Sequence, residues 1–295
     1  MEQKIAAVVV AHNRKALLTQ GLTGIFNQTR PIDRVFVIDN ASTDGTHAVL
    51  QDAYGSDERF VYVLNENTGS AGGFHEGVKR AYEWGADWVW LMDDDVCPDS
   101  DCLESMLAHK EVSQCIHPSK SDVRGKEFIW ENTYDPSMIR VAIFNENISF
   151  NNGKGIVFVH IGCFEGMLIH RDIIARIGFP DPRFFTAGDD VAYGFLASLY
   201  TNVSFVRDAH ITRLVSFDTN TITPKYLYYA TRNQFLLKEY SERYHLFKPQ
   251  LFYPYLIWFA LYASVKQTFR NGSLKTVWYI WKGFADGMRG KFYKI

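Results

Sequence analysis

Short apolar runs alternate with helical stretches along the first hundred residues, and the fourth run, Val89-Trp90-Leu91-Met92, ends in Asp93, Asp94 and Asp95. Ile5–Ala11, Arg34–Asp39, Phe60–Asn65 and Trp88–Met92 read as strands; Arg14–Gln28, Ser42–Tyr54 and Gly72–Gly85 read as the helices between them. Alternation at this pace implies βαβ units, a mostly parallel sheet and right-handed crossovers. In an open α/β sheet, ligands bind beyond the carboxyl ends of the strands. Asp93 and Asp95 are two apart, so extended backbone points them the same way. Two such carboxylates suit a hard divalent cation that keeps positions open for phosphate oxygens. A solvated acidic loop capping a helix is the other fate of such a cluster, but an apolar strand leading directly into it favours the cation.

Beyond the triplet, a helix is expected from Asp101 to about Val112. The pattern loosens from Cys115 to Gly155, with 145–154 reading as a polar loop. Val157–His160 and Met167–His170 resume strand character, Arg171–Ile177 is a short helix, Asp189–Tyr200 is a helix opened by two acids, and Val203–Val206 is a late strand. Pro224–Tyr244 reads as one long helix. The expected organisation is a catalytic domain over 1–245, with a donor half to about 115 and an acceptor half over 116–245, followed by a helical appendage over 246–295.

Charge sharpens this division. The whole chain is −2, yet from Lys248 onward eight Lys/Arg face the single acid Asp286, so the tail carries +7 and the body −9. So acidic a body is no natural partner of nucleic acid. The basic tail is also rich in Trp, Tyr and Phe, which points to contact with an anionic membrane surface. Its most apolar stretch, Leu251–Val265, is short of the ~20 residues a span requires and contains Pro254. A helical cap on the catalytic domain or a homo-oligomer interface is the alternative. The four cysteines show no CxxC pairing or zinc-like spacing, and the start of the chain lacks signal-peptide organisation. Both features suggest a cytoplasmic protein, peripheral on the inner face of the plasma membrane if the tail binds lipid.

Other residues carry weaker signals. Asn67, Gly69, Gly72 and Gly73, in NENTGSAGGFHEG, precede a helix start that can receive a sugar diphosphate, although such loops are often only tight connections. The run matches neither the Walker phosphate loop nor the GxGxxG fingerprint. Asp39 can accept hydrogen bonds from a nucleobase or ribose, or can cap the helix near Ser42. His12, Asn13 and Arg14 end the first strand, where Arg14 can meet a phosphate. Asp189 and Asp190 follow Gly188 at a helix start, where the dipole alone favours acids. The functional reading makes Asp190 a general base. A lone histidine such as His210 is commonly structural, though a neutral imidazole would suit Mn²⁺ better than Mg²⁺.

Taken in order, AVVVAHNR, VIDNASTDGT, the Asn-Thr-Gly-Ser-Ala-Gly-Gly-Phe run, the acidic triplet and Gly-Asp-Asp resemble the family-2 glycosyltransferases of the GT-A fold. Together with YYATRN (Tyr228–Asn233), they resemble the branch holding galactofuranosyl- and rhamnosyltransferases. CFEGMLIHRDIIARIGFPDPRFFTAGDD is similar to the stretch with which these enzymes approach the acceptor, so Glu165, Gly166, Gly188 and Asp189 are expected there. The resemblance spans residue 5 to about 235. It implies inverting transfer from a nucleotide sugar (UDP-galactofuranose first, dTDP-rhamnose second) to a glycan or lipid-linked glycan in bacterial surface polysaccharide synthesis. It also implies Mn²⁺ or Mg²⁺ held by Asp93, Asp95 and His210, Asp39 on the base, Asp94 near the ribose or donor sugar, and Asp190 as base. This chain has Gly188 where those enzymes have a tryptophan before the acid pair, which leaves acceptor stacking to Phe184, Phe185 or the exposed tryptophans.

Two rival readings are a sugar-nucleotide-binding scaffold, which would need no base, and a nucleotidyltransferase. AHNRKALLT lacks the glycine-rich, basic triphosphate loop of the latter.

Overall fold

The computed structural model describes residues 3–128, 133–137, 139–142, 153, 155–216, 223–271 and 274–295. The polar loop expected over 145–154 falls largely outside them. The first half runs β1 (Ile5–Ala11), α1 (Lys15–Phe26), β2 (Arg34–Asn40), α2 (Thr46–Tyr54), β3 (Phe60–Asn65), α3 (Gly69–Trp84), β4 (Trp88–Asp93), β5 (Val96–Pro98) and α4 (Cys102–Leu107). The second continues with β6 (Cys115–Asp122), β7 (Glu127–Phe128), β8 (Thr133–Asp135), β9 (Arg140–Ala142), β10 (Ile156–Val159), β11 (Leu168–His170), α5 (Arg171–Ile177), α6 (Asp189–Ser198) and β12 (Val203–Arg213). Four helices follow: α7 (Pro224–Arg232), α8 (Gln234–Arg243), α9 (Pro249–Asn271) and α10 (Leu274–Met288).

The central sheet has the order β10-β12-β6-β11-β4-β1-β2-β3. β4, β1, β2 and β3 are mutually parallel neighbours, and β12 runs parallel to β6. β11 is antiparallel to both β4 and β6, which makes the sheet mixed. Every residue of β1 is buried, as expected of a parallel strand covered on both faces. Val8 and Val10 face a core completed by Phe74 and Val78 of α3. Ile5, Ala7 and Val9 face Leu18, Leu22 and Ile25 of α1. Val10 stands opposite Asp93 and Ala11 opposite Asp39. The register therefore brings the ends of β1, β2 and β4 to one edge of the sheet.

Three differences from the sequence reading have physical causes. β6, in the stretch where the pattern loosened, is central to the sheet. Its apolar signal is broken by His117, which burial turns into a partnered core residue: Nδ1 lies 3.3 Å from the Ser204 carbonyl oxygen and the ring stacks on Phe205. Pro118 coincides with the register shift between Val206 and His210 of β12, where irregular pairing tolerates its missing N–H. β12 runs seven residues beyond Val206 to Arg213, pairing with both β6 and β5. The expected long helix over Pro224–Tyr244 is two helices meeting at Asn233.

α9 and α10 pack against α7 and α8. Phe252 and Leu256 of α9 share a buried cluster with Phe184, Leu236 and Tyr240. α10 lies so close to α7 that a Cβ on Gly283 would stand 2.4 Å from the Tyr228 carbonyl oxygen.

Candidate active site

The ends of β1 and β4 open onto a cavity of about 590 Å³. His12, Arg14, Asn40, Asn67, Gly69 and Asp93–Asp95 form one wall, and Phe185, Thr186, Arg213 and Tyr226 also line it. The chain turns at Asp94 and Asp95 before entering β5, so Asp93 and Asp95 converge through a turn rather than along a strand. One carboxylate oxygen each from Asp93, Asp95 and Glu165 lie within 4.8 Å of one another. Three hard oxygen donors at that spacing fit a divalent cation such as Mg²⁺ or Mn²⁺.

Basic groups surround the cluster. Arg14 Nη1 donates to Asp95 at 2.8 Å and to Asp94 at 3.2 Å. Arg213 Nε lies 3.6 Å from Asp95 and 3.8 Å from Glu165. Lys120 is buried and donates to Glu165 Oε2 at 2.6 Å and to the Cys163 sulfur at 3.2 Å. Burial, then the charges of Glu165, Asp95 and Asp94, hold Asp93 well above the ordinary carboxylate range. Burial likewise raises Asp94 to about 6 against the pull of Arg14. Glu165 is buried too, yet Lys120 and then Arg213 outweigh that penalty and keep its carboxyl below the usual value.

A second cavity, of about 280 Å³, adjoins the first; both are walled by Ser70, Asp93, Thr186 and Tyr226. Cys163, Glu165, Gly188, Asp189 and Asp190 line its far side. Gly188 starts α6 with φ 89°, a left-handed conformation that glycine adopts without strain and that turns the two acids into the cavity. Asp189 is buried and accepts a hydrogen bond from the Ser70 hydroxyl at 3.2 Å. Asp190 accepts from the Val191 amide at 2.8 Å. Burial raises both carboxyls, and the Asp189 charge lifts Asp190 further, to about 7. A carboxylate so tuned can exchange a proton near neutral pH.

The approach to Gly188 is held by the end of YYATRN. The Asn233 side-chain amide donates to the carbonyls of Phe184, Thr186 and Ala187 at 3.0, 2.7 and 2.7 Å. Arg232 donates to the Arg183 and Phe184 carbonyls at 2.7 and 2.8 Å. Phe185 and Ala187 carry φ of 62° and 68°, so this loop sits in strained backbone that the Asn233 contacts stabilise.

Several expected residues lie elsewhere. His210 does not join Asp93 and Asp95. The Asp95 carbonyl accepts from Leu214 N, while His210 faces Asp99, four residues back along β12 and about 13 Å away at strand rise. Its ring nitrogens lie 3.2 Å from Asp99 Oδ2 and 3.0 Å from the Ser121 hydroxyl. Gly72 and Gly73 are inside α3 and not on the cavity wall. A Cβ on Gly73 would stand 2.5 Å from Val10 Cγ1, and one on Gly72 2.2 Å from Thr68 Oγ1, so these glycines serve packing. Gly166 also has a structural part, its amide donating to Leu91 O and its carbonyl accepting from Trp90 Nε1. Glu165, expected at the acceptor, lines the second cavity and also completes the acidic cluster.

Asp39 is buried, accepts from the Ser42 amide at 2.8 Å and from the Tyr62 hydroxyl, and does not line the cavity. Asn13 turns away from the wall: its amide donates to Ser42 Oγ and its side-chain oxygen accepts from the Thr43 amide. Sequence reasoning missed Lys120, Arg213, Ser70, Thr186 and Tyr226. Lys120 alone had a local signal, since strand alternation puts it on the same face of β6 as Ile116 and Pro118.

Residues 6–178 match the family described as Glycosyl transferase family 2. The chain belongs to that family. Among its relatives, galactofuranosyltransferase GlfT1 of Mycolicibacterium smegmatis is 30% identical over 192 residues, 63% of this chain and 63% of that protein. GlfT1 of Mycobacterium tuberculosis is 31% identical over 201 residues, 65% of this chain and 63% of its own length. The matched stretch thus spans somewhat under two thirds of these relatives. Two solved structures share the GT-A architecture at low identity. GalNAc-T7 with UDP, GalNAc and Mn²⁺ has a TM-score of 0.64 at 12% identity, covering 97% of this chain and 55% of that one. S. aureus TarS 1-349 has a TM-score of 0.61 at 13% identity, covering 97% and 81%. The β/α alternation read from the sequence accordingly belongs to a GT-A fold.

Proposed function

We propose that this family-2 protein is an inverting, metal-dependent glycosyltransferase that moves galactofuranose from UDP-galactofuranose to a hydroxyl of a glycan or lipid-linked glycan. The observation that carries the reading is the placement of Asp190. Its raised carboxyl opens on a cavity that shares the Asp93 wall with the acidic cluster. The acceptor hydroxyl, seated beside Asp190, attacks the anomeric carbon from the face opposite the diphosphate. Its proton passes to Asp190, the carbon–oxygen bond to UDP breaks, and the configuration inverts. The pyrophosphate lies toward Arg14 and Arg213, with His12 and Asn67 flanking the nucleotide side. Asp93, Asp95 and Glu165 would hold Mn²⁺ or Mg²⁺, which supplies Lewis-acid stabilisation of the departing diphosphate.

The choice of galactofuranose does not rest on His210, which stands away from the cluster. It is supported by 30–31% identity to two galactofuranosyltransferases. The test is release of UDP from UDP-galactofuranose with Mn²⁺, set beside dTDP-rhamnose, UDP-galactopyranose and UDP-glucose. Turnover with dTDP-rhamnose but not UDP-galactofuranose would reassign the donor, and turnover with none would reject the enzyme reading in favour of a binding protein.

The outer faces of α9 and α10 support an enzyme resting on an anionic membrane. No described helix is long and apolar enough to cross one. Trp258, Leu261, Phe269, Leu274 and Trp278 are nonetheless exposed, at 51 to 89%, in the +7 segment. Flotation with vesicles containing anionic lipid should carry the full chain upward. It should fail when Trp258, Phe269 and Trp278 are replaced by Ser.

A further inference from the structure

The segment that follows α10 turns back over α7 and reaches the wall of the larger cavity. Lys294 Nζ donates to the Asn67 carbonyl at 2.8 Å and lies 5.6 Å from the ring centroid of Phe185. Both residues line that cavity, Asn67 from the loop between β3 and α3 and Phe185 from the loop ahead of Gly188. One ammonium therefore touches two stretches that are far apart in the chain. The segment is anchored as well. Arg232, which is buried and holds the Arg183 and Phe184 carbonyls, also donates to the Tyr293 carbonyl at 2.9 Å. The Ile295 amide donates to the Tyr229 hydroxyl at 3.1 Å, and the Tyr229 ring stacks on Phe185 at 4.9 Å.

We propose that Lys294 is a positioning residue for nucleotide binding, acting through Asn67 and Phe185 to fix two parts of the wall against which the nucleotide rests. The inference rests on the nucleotide lying in the larger cavity. The Asn67 side chain belongs to the same wall: its oxygen accepts from the Gly69 amide at 3.1 Å, and its nitrogen lies 3.4 Å from His12 Nε2. Holding the Asn67 carbonyl from outside thus steadies His12 and the Gly69 turn through contacts already in place. A wall held in its bound arrangement spares the nucleotide the cost of ordering it, which raises affinity and leaves the chemical step alone. Lys294 is itself exposed, and a space of about 330 Å³ is lined by the segment and by both loops. Its contacts cross a gap instead of packing a core, so they can be removed without unmaking the fold. Lys294 also lies outside residues 6–178, so this contribution comes from the chain's own appendage and not from the stretch that matches the family.

The experiment titrates the full chain with UDP and Mn²⁺ by calorimetry, then measures donor kinetics. Lys294→Met should weaken UDP about fivefold and raise the KM for UDP-galactofuranose to match, with kcat and melting temperature little changed. Lys294→Arg, which keeps a cationic donor, should recover most of the loss. Arg289→Met removes a like charge at the start of the segment and should bind UDP as the wild type does. Coupling is reciprocal, so saturating UDP should slow backbone hydrogen exchange over residues 290–295 in the wild type and not in Lys294→Met. Unchanged UDP affinity in Lys294→Met overturns the proposal, and a loss shared equally by Arg289→Met does so too, because it marks a diffuse effect of charge. A loss that Lys294→Arg does not recover, or a fall in kcat at constant KM, also overturns it. If no donor turns over yet UDP affinity still follows Lys294, the transfer reading fails and the positioning role stands. A wild type that binds neither UDP nor dTDP removes the nucleotide site and the proposal together.

Discussion

Lys120 and Glu165 form a buried ion pair with Nζ 2.6 Å from Oε2, and through it a lysine of β6 fixes the third carboxylate of the acidic cluster. The pair is almost fully enclosed, with side-chain exposures of 1% and 11%. Removing one partner of such a pair typically costs about 3–5 kcal/mol when the other charge is left unpaired, whereas replacing both can be nearly neutral. Arg213, 3.8 Å from Glu165, keeps part of the compensation, so Lys120→Met should destabilise the protein by less than that full cost, about 1–3 kcal/mol in urea unfolding. Adding Glu165→Leu should restore a large part of that loss while removing metal-dependent turnover. A Lys120→Met variant as stable as wild type would show that the pair carries no such weight.

Asp190→Ala should abolish sugar transfer while leaving nucleotide binding nearly intact, because Asp190 lines the acceptor-side cavity and not the nucleotide wall. Single-turnover transfer and UDP titration calorimetry check the two halves separately. Turnover comparable to wild type would remove Asp190 from the base role.

The raised Asp190 carboxyl sets the direction of two pH effects. A base must be ionised to act, so transfer should fall as pH drops through about 7. Asp189→Asn removes a like charge beside it and should move that acid limb to lower pH. Stability runs the other way. A carboxyl that stays protonated in the folded chain but ionises in the unfolded one loses stability as pH rises from the unfolded value through the folded one. Asp190→Asn should therefore raise the melting temperature more at pH 8 than at pH 4. An acid limb that stays put in Asp189→Asn would show that the two carboxyls are not electrostatically linked.

Asn233 donates to three loop carbonyls just ahead of Gly188 and the proposed base Asp190. Asn233→Ala leaves those carbonyls without that donor, at about 1–3 kcal/mol for each that stays buried and unpaired. Turnover should fall on the order of a hundredfold, since a shift of about 1 Å in the base has that effect. Nucleotide affinity should change little, because Asn233 does not line the nucleotide cavity. A matching loss of nucleotide affinity would mean that the loop serves the donor instead.

Chelation tests the acidic cluster. EDTA should stop turnover and Mn²⁺ should restore it, while Asp95→Asn should raise the Mn²⁺ concentration needed for half-maximal rate by about tenfold or more. His210→Ala should leave that requirement unchanged, because its ring engages Asp99 and Ser121 instead. A higher requirement in His210→Ala would bring the histidine back to the metal.

By itself the sequence determined that strands and helices alternate, that the sheet gathers acids at the ends of its strands, and that Asp189 and Asp190 begin a helix after a glycine. Each of these is written in local periodicity and punctuation, which act within a few residues. Only the tertiary structure decided which groups complete the cluster. Glu165 reaches Asp93 and Asp95 across some seventy residues because β11 inserts beside β4, and Lys120 arrives on β6. The pairing of β5 with β12 puts Leu214 opposite Asp95 and keeps His210 a strand's length away. Gly72, Gly73 and Gly166 carry the same composition a binding loop would show, yet packing against Val10, Thr68 and Pro118 uses them up. Register between strands distant in the chain is set by which faces bury together, and no single segment contains that information.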